Sequence, residues 1–196
     1  MVAFVGLTGG VGAGKSTALA ALERLGVPTL STDAVVHELY GSAELRDEIR
    51  ARWGGEVIAA DGTVDRAAVA RRAFASDDER HWLEGTLWPR VGERVAAWRE
   101  EVARSEVPSS VAVVEVPLLF EAGLQDAYDA TIAVVADEET RARRAGERGH
   151  EAVDERVARQ LPQDEKARRA THVVTNDGTV DDLRRELSAV LEKLRG

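Results

Sequence analysis

A chain of 196 residues, 44% hydrophobic and 31% charged, has material for one sizeable core with insertions and the balance of a soluble globule. No stretch approaches the ~18 to 20 consecutive apolar residues of a membrane span, and a net charge of -9 argues against broad nucleic-acid binding, which needs a basic face. The absence of cysteine excludes disulfides, thiolate metal sites and a cysteine nucleophile, suits a cytoplasmic location, and nothing in the composition implies a membrane or an obligatory protein partner.

The chain opens on an apolar run, residues 2–7, without a basic leader, and that run reads as a buried parallel strand. It feeds Gly9, Gly10, Val11, Gly12, Ala13, Gly14, Lys15, Ser16 and Thr17, the pattern G-x-x-x-x-G-K-S between a strand and a helix. Glycines there let successive backbone N–H groups face a phosphate chain; Lys15 reaches the outer phosphates and the Ser16 hydroxyl is placed for Mg²⁺. The plainer reading is a glycine-rich turn joining strand to helix. The helix ends at Gly26, a natural residue for a left-handed stop.

Residues 27–30 form a second short strand that delivers Ser31, Thr32 and Asp33 to its carboxyl end, the edge of a parallel sheet where ligands bind. Asp33 is a helix N-cap, a chemical group, or both. From 41 to 107 the texture changes to amphipathic helices, as in an insertion. Residues 61–63 make a turn, Asp65 caps a helix through Ala75, and Ser76 to Glu79 has the form of a capping box. Val91, Val95, Trp98 and Val102 recur at helical spacing as a core stripe. Trp53, Trp82 and Trp88 either pack or wall an extended ligand.

The sheet resumes at residues 111–116, where Glu115 is a carboxylate at the end of a buried strand. Either it stands near a magnesium shell or it bonds to backbone or arginine at the edge of the core. Residues 118–121 follow as a loop or short helix, then a strand at 131–135. An acidic helix start at Asp137 precedes Arg141, Arg144 and Arg148 on one face. A solvated face would explain that row, but a lid of arginines leaving the ligand edge suits phosphoryl transfer better. A strand at 171–175, a turn at 176–178 and a helix at 180–194 complete five parallel strands with helical crossovers, an α/β fold.

At this level the sequence resembles the dephospho-coenzyme A kinases, P-loop kinases. The resemblance rests on Leu7 to Thr17, on Asp33, on the runs D-G-T-V-D-R from Asp61 and P-L-L-F-E from Pro117, on Arg144 with Arg148, on Gln160, Leu161 and Pro162 with Lys166, and on Asn176, Asp177 and Gly178. Where the family commonly has two aspartates after the second strand, this chain has Ser31 and Asp33, so only Asp33 inherits the catalytic role. Trp88 replaces a common histidine and Gly149 a common aspartate.

The resemblance implies a P-loop NTPase three-layer sandwich. Its nucleotide-binding core is residues 1–40, 108–137 and 161–196, with a helical substrate domain at 41–107 and a lid at 138–160. It implies transfer of the γ-phosphate of ATP, with Mg²⁺, to the ribose 3′-hydroxyl of dephospho-coenzyme A, the last step of coenzyme A synthesis. Lys15, Asp33, Arg144 and Arg148 are then catalytic. Gly10 to Thr17 and Asn176 hold the nucleotide, Thr8, Asp33, His37 and Leu118 the acceptor, and Ser16 the metal with Asp33 and Glu115 as further candidates. The runner-up is a P-loop kinase for another small hydroxyl or a nucleoside monophosphate. A GTP switch lacks its N-K-x-D motif in this chain, and a non-catalytic nucleotide module has no need of Asp33 and a lid of arginines together.

Overall fold

Runs of β-branched and small apolar residues with no polar alternation are strands covered on both faces. The computed structural model, which describes residues 2–107, 109–146 and 160–195, builds one parallel sheet from five of them. The strands are β1 (Ala3–Gly9), β2 (Thr29–Ser31), β3 (Val111–Glu115), β4 (Ala130–Val135) and β5 (His172–Thr175). They lie in the order β2-β3-β1-β4-β5, all parallel. β1 is central, pairing Leu7 with Glu115 of β3 on one side and with Ile132 of β4 on the other. Its carboxyl end therefore opens between two neighbours.

Two units divide the chain, Met1–Ser31 with Arg99–Gly196, and Thr32–Trp98. In the first, α1 (Lys15–Arg24) and α8 (Val180–Arg195) pack together. Leu19 and Leu22 of α1, and Leu183, Leu187 and Leu191 of α8, join Val5, Leu7, Ile132 and Val134 in one core. Because side chains alternate along a strand, Gly6 and Thr8 of β1 face the other way. A Cβ on Gly6 would meet Leu119 and Tyr128 at 3.1 Å. Thr8 meets Lys166 of α7 (Gln163–Arg169). Helices on both faces make the three layers. α6 (Glu138–Gly146) follows β4, with Asp137 accepting from the Thr140 N–H at 2.8 Å at its start; that bond and its Asp177 contact hold the Asp137 carboxyl below the usual range.

The second unit contains α2 (Thr32–Tyr40), α3 (Ala43–Trp53), α4 (Arg66–Ala73) and the first part of α5 (Asp77–Ala103). Its core is Leu45, Ile49, Val57, Val69 and Leu87, with Val36, Leu39 and Tyr40 of α2 packed against it. This apolar face of α2 explains why the division falls at Thr32, whereas the change in texture along the sequence falls at residue 41. Trp53 and Trp82 pack edge to face, centroids 5.0 Å apart, while Trp88 is 53% exposed.

Asp65 caps α4, accepting from the N–H groups of Ala67 and Ala68. Only half of the expected box at Ser76 forms through side chains. Ser76 Oγ accepts from the Glu79 N–H, and the Glu79 carboxylate takes Arg52 and the Trp53 indole N–H instead. α5 continues through Pro89. Among the described residues no helix is long and apolar enough to cross a membrane.

Candidate functional site

The loop after β1 is shaped by what stands behind it. A Cβ on Gly9 would lie 2.5 Å from the Val134 carbonyl oxygen, so β1 can pass β4 only as glycine. Gly12 and Gly14 have φ of 77° and 90°, the left-handed region that strains any L side chain. Both are also obstructed, Gly12 by the Arg141 backbone and Gly14 by the Asn176 amide. The Ala13 N–H donates to the Gly10 carbonyl at 3.2 Å and turns the chain into α1. Gly14 offers no side-chain cap, and the first turn of α1 has no acidic residue. The positive end of a ten-residue helix is thereby left for an external anion. Lys15 Nζ donates to the carbonyls of Gly9 at 3.1 Å and Gly10 at 3.3 Å, which keeps the ammonium against the loop. Val11 and Thr17 are half-buried, Ser16 is exposed, and Ala13 is fully buried.

Three side chains brace this cradle. Asn176, 3% exposed, donates its amide to the Ala13 carbonyl at 2.9 Å, and its own N–H to Val135 at 2.8 Å. Arg144 donates to the Asn176 carbonyl at 3.0 Å and comes within 3.5 Å of where a Gly14 Cβ would be. Arg141 donates through Nε to the Val11 carbonyl at 3.1 Å and pairs with Glu138 at 2.7 Å. The sequence put Arg141 in the arginine row of the lid with Arg144 but did not name it among the site residues; their spacing of three on a helix was the available signal. Arg148 lies outside the described residues. Asn176, expected at the nucleotide, is turned onto the loop carbonyl.

At the carboxyl end of β3, Glu115 is 7% exposed and stands in register with Leu7 and Ser31. Thr8 is fully buried; its hydroxyl donates to the Pro117 carbonyl at 3.2 Å and accepts from Lys166 Nζ at 3.5 Å. Leu118 is half-buried. Lys166 is fully buried and paired with Glu121 at 2.9 Å. Burial pulls its ammonium below the usual lysine range, and Glu121 offsets part of that.

In the second unit Asp33 is exposed and is the second residue of α2, inside the first turn instead of before it. An N-cap role is therefore not what its position serves. His37, one turn on, has Nδ1 2.8 Å from the Arg66 guanidinium. A guanidinium only donates, so Nδ1 accepts and the ring proton sits on Nε2. Arg66 also lies over the Tyr40 ring at 5.9 Å. In the sequence Arg66 stood out only as a member of a matching run. Among the described residues no group of three or more His, Asp or Glu side chains is arranged to hold a metal.

The dephospho-CoA kinase family model matches residues 3–182. A dephospho-CoA kinase of Geobacter metallireducens is 38% identical over 191 residues, which cover 95% of this chain and 94% of that protein. Among solved structures, TT1252 from Thermus thermophilus superposes with a TM-score of 0.82 at 35% identity, covering 100% of this chain and 99% of that one. A dephospho-CoA kinase from Campylobacter jejuni superposes with a TM-score of 0.71 at 20% identity, covering 100% and 98%, a likeness of fold.

Proposed function

The chain belongs to the dephospho-CoA kinase family, and from that premise we propose that it transfers the γ-phosphoryl group of ATP to the ribose 3′-hydroxyl of dephospho-CoA, giving CoA and ADP as the last step of CoA biosynthesis. The observation that carries the ATP half of this reading is the braced loop. Left-handed glycines and an uncapped, non-acidic start of α1 leave backbone donors and helix charge for a phosphate chain. A cysteine-free chain that uses ATP belongs in the cytoplasm.

The roles follow from residue chemistry. Loop amides cradle the phosphates and Lys15 moves from its carbonyl partners onto the outer phosphate oxygens, holding the donor in line. Ser16, with Asp33 and Glu115 as further candidates, would hold Mg²⁺, which supplies charge neutralisation at the β- and γ-phosphates. Arg144, already at Gly14, follows the charge that spreads over the transferring group, and Arg148 shares that catalytic role. Asp33 takes or orients the proton of the attacking hydroxyl. His37, with its proton fixed on Nε2, presents a donor to the acceptor.

The test is ADP release by the purified protein with ATP and Mg²⁺, offered dephospho-CoA, adenosine, nucleoside monophosphates or shikimate. Turnover with dephospho-CoA well above the rest is expected. Preference for any other acceptor sinks the reading.

A further inference from the structure

One charged network lies outside the roles assigned above. Lys166 is fully buried, which is rare for a lysine unless it is paired. Its ammonium has three partners, Pro117 O at 2.7 Å, Glu121 Oε1 at 2.9 Å and Thr8 Oγ1 at 3.5 Å. The same Glu121 oxygen accepts the Leu161 N–H at 2.8 Å. The other is buried with no partner among the described residues. One ammonium therefore ties the carboxyl end of β1 and the chain leaving β3 to α7, and its partner Glu121 holds the segment just before that helix.

The geography matters because Thr8 is covalently followed by Gly9, whose carbonyl is a Lys15 partner. The Thr8 hydroxyl is held from both sides, donating to Pro117 O and accepting from Lys166. Pro117 in turn begins two residues after Glu115, at the end of the neighbouring strand. A displacement at Thr8 is thus passed directly to the loop, and one at Pro117 to the adjoining strand end.

We infer that Lys166 is a positioning residue for phosphoryl transfer: through Thr8, Pro117 and Glu121 it fixes the root of the phosphate loop relative to the end of β3. The inference rests on the kinase reading for its kinetic consequence but not for its structural one. Phosphoryl transfer is nearly all positioning, and a misplacement of about 1 Å costs on the order of 10²-fold. Ground-state binding by loop amides tolerates more. Loss of the ammonium is expected to lower kcat about 10²-fold while KM for ATP changes less than about threefold.

The discriminating comparison sets Lys166→Met against the double variant Lys166→Met/Glu121→Gln. The single change strands a buried carboxylate and lowers thermal stability; the double change removes that charge while Gln still accepts from Leu161, so stability returns. A positioning role requires that kcat stay low in the double variant. Recovery of kcat together with stability overturns the inference. Thr8→Val, which keeps shape and loses the hydroxyl, covers the case in which Lys166→Met does not fold, and unchanged kcat there also overturns it. Amide hydrogen exchange supplies a readout independent of turnover. Residues 8–16 should exchange at least about tenfold faster in the double variant and in Thr8→Val, with α8 unchanged. Unaltered exchange at 8–16 overturns the inference. A wild-type protein inactive on every acceptor defeats the kinase reading alone, leaving exchange to decide the frame.

Discussion

The Asn176 amide occupies the space that a Cβ on Gly14 would need, and the same amide holds the Ala13 carbonyl at 2.9 Å. The loop therefore owes its shape to β5's far end as much as to its own glycines. Asn176→Ala removes the donor and leaves a buried carbonyl unpaired, a cost of about 1–3 kcal/mol, and loosens the loop where α1 begins. Stability should fall by that amount in urea unfolding, and KM for ATP should rise. Gly14→Ala adds left-handed strain of about 1–3 kcal/mol and should weaken ATP binding at least about tenfold. An Asn176→Ala protein that binds ATP as tightly as wild type would show that the brace is dispensable.

The strand–loop–helix at the start of the chain was legible because glycine spacing, the apolar run and Lys15 all point to one structure. So were the five strands, since each is a short apolar or β-branched run ended by a turn signal. Their spatial order was not legible, because β3 inserts between β1 and β2 and periodicity carries no information on neighbours. Asn176 and Arg141 bridging back to the loop over 163 and 130 residues are contacts of the same kind. The buried Lys166 was visible only as a member of a matching run; helical spacing marks a lysine as surface, and only the tertiary pairing with Glu121 reverses that.

Arg144 commits one donor to the Asn176 carbonyl at 3.0 Å. If it then follows the transferring group, its contribution grows in the transition state, and Arg144→Ala should lower kcat on the order of 10²-fold. Arg144→Lys keeps the charge but loses the planar fork and should recover only part of it. Steady-state kinetics separate the roles. A change confined to KM for ATP assigns Arg144 to the ground state.

Asp33 sits exposed in the first turn of α2, with His37 one turn behind it. Asp33→Asn preserves size and the polar start of the helix while removing the carboxylate proposed as the base. Turnover should fall by about 10² to 10⁴, with ATP affinity retained. Near-normal turnover would falsify the base role. His37→Gln, keeping a donor in roughly the place of Nε2–H, should retain more activity than His37→Ala, which keeps none. Equal losses would remove the Nε2 donor from the account.

α8 carries much of the first unit's core through Leu183, Leu187 and Leu191, and it starts on a reciprocal cap. Thr179 Oγ1 accepts from the Asp182 N–H at 3.2 Å, and Asp182 Oδ2 accepts from the Thr179 N–H at 2.9 Å and its hydroxyl at 2.6 Å. Arg185 pairs with the other Asp182 oxygen. With the Thr179 bonds as the largest cause, the Asp182 carboxyl is lowered from 3.8 to about 2. Between those values the unfolded chain binds more protons than the native one, so stability rises with pH. The contribution is complete above about 3.8 and is lost as pH falls toward about 2. Thermal midpoints followed from pH 5 down to pH 2 should therefore drop less steeply in Asp182→Asn than in wild type, from a lower starting value. Thr179→Ala should cost about 1 kcal/mol near neutrality and should also flatten the acid limb, because it removes the hydroxyl that is the foremost cause of the lowered carboxyl. Parallel acid limbs in all three proteins would mean that the cap does not set the proton affinity of Asp182.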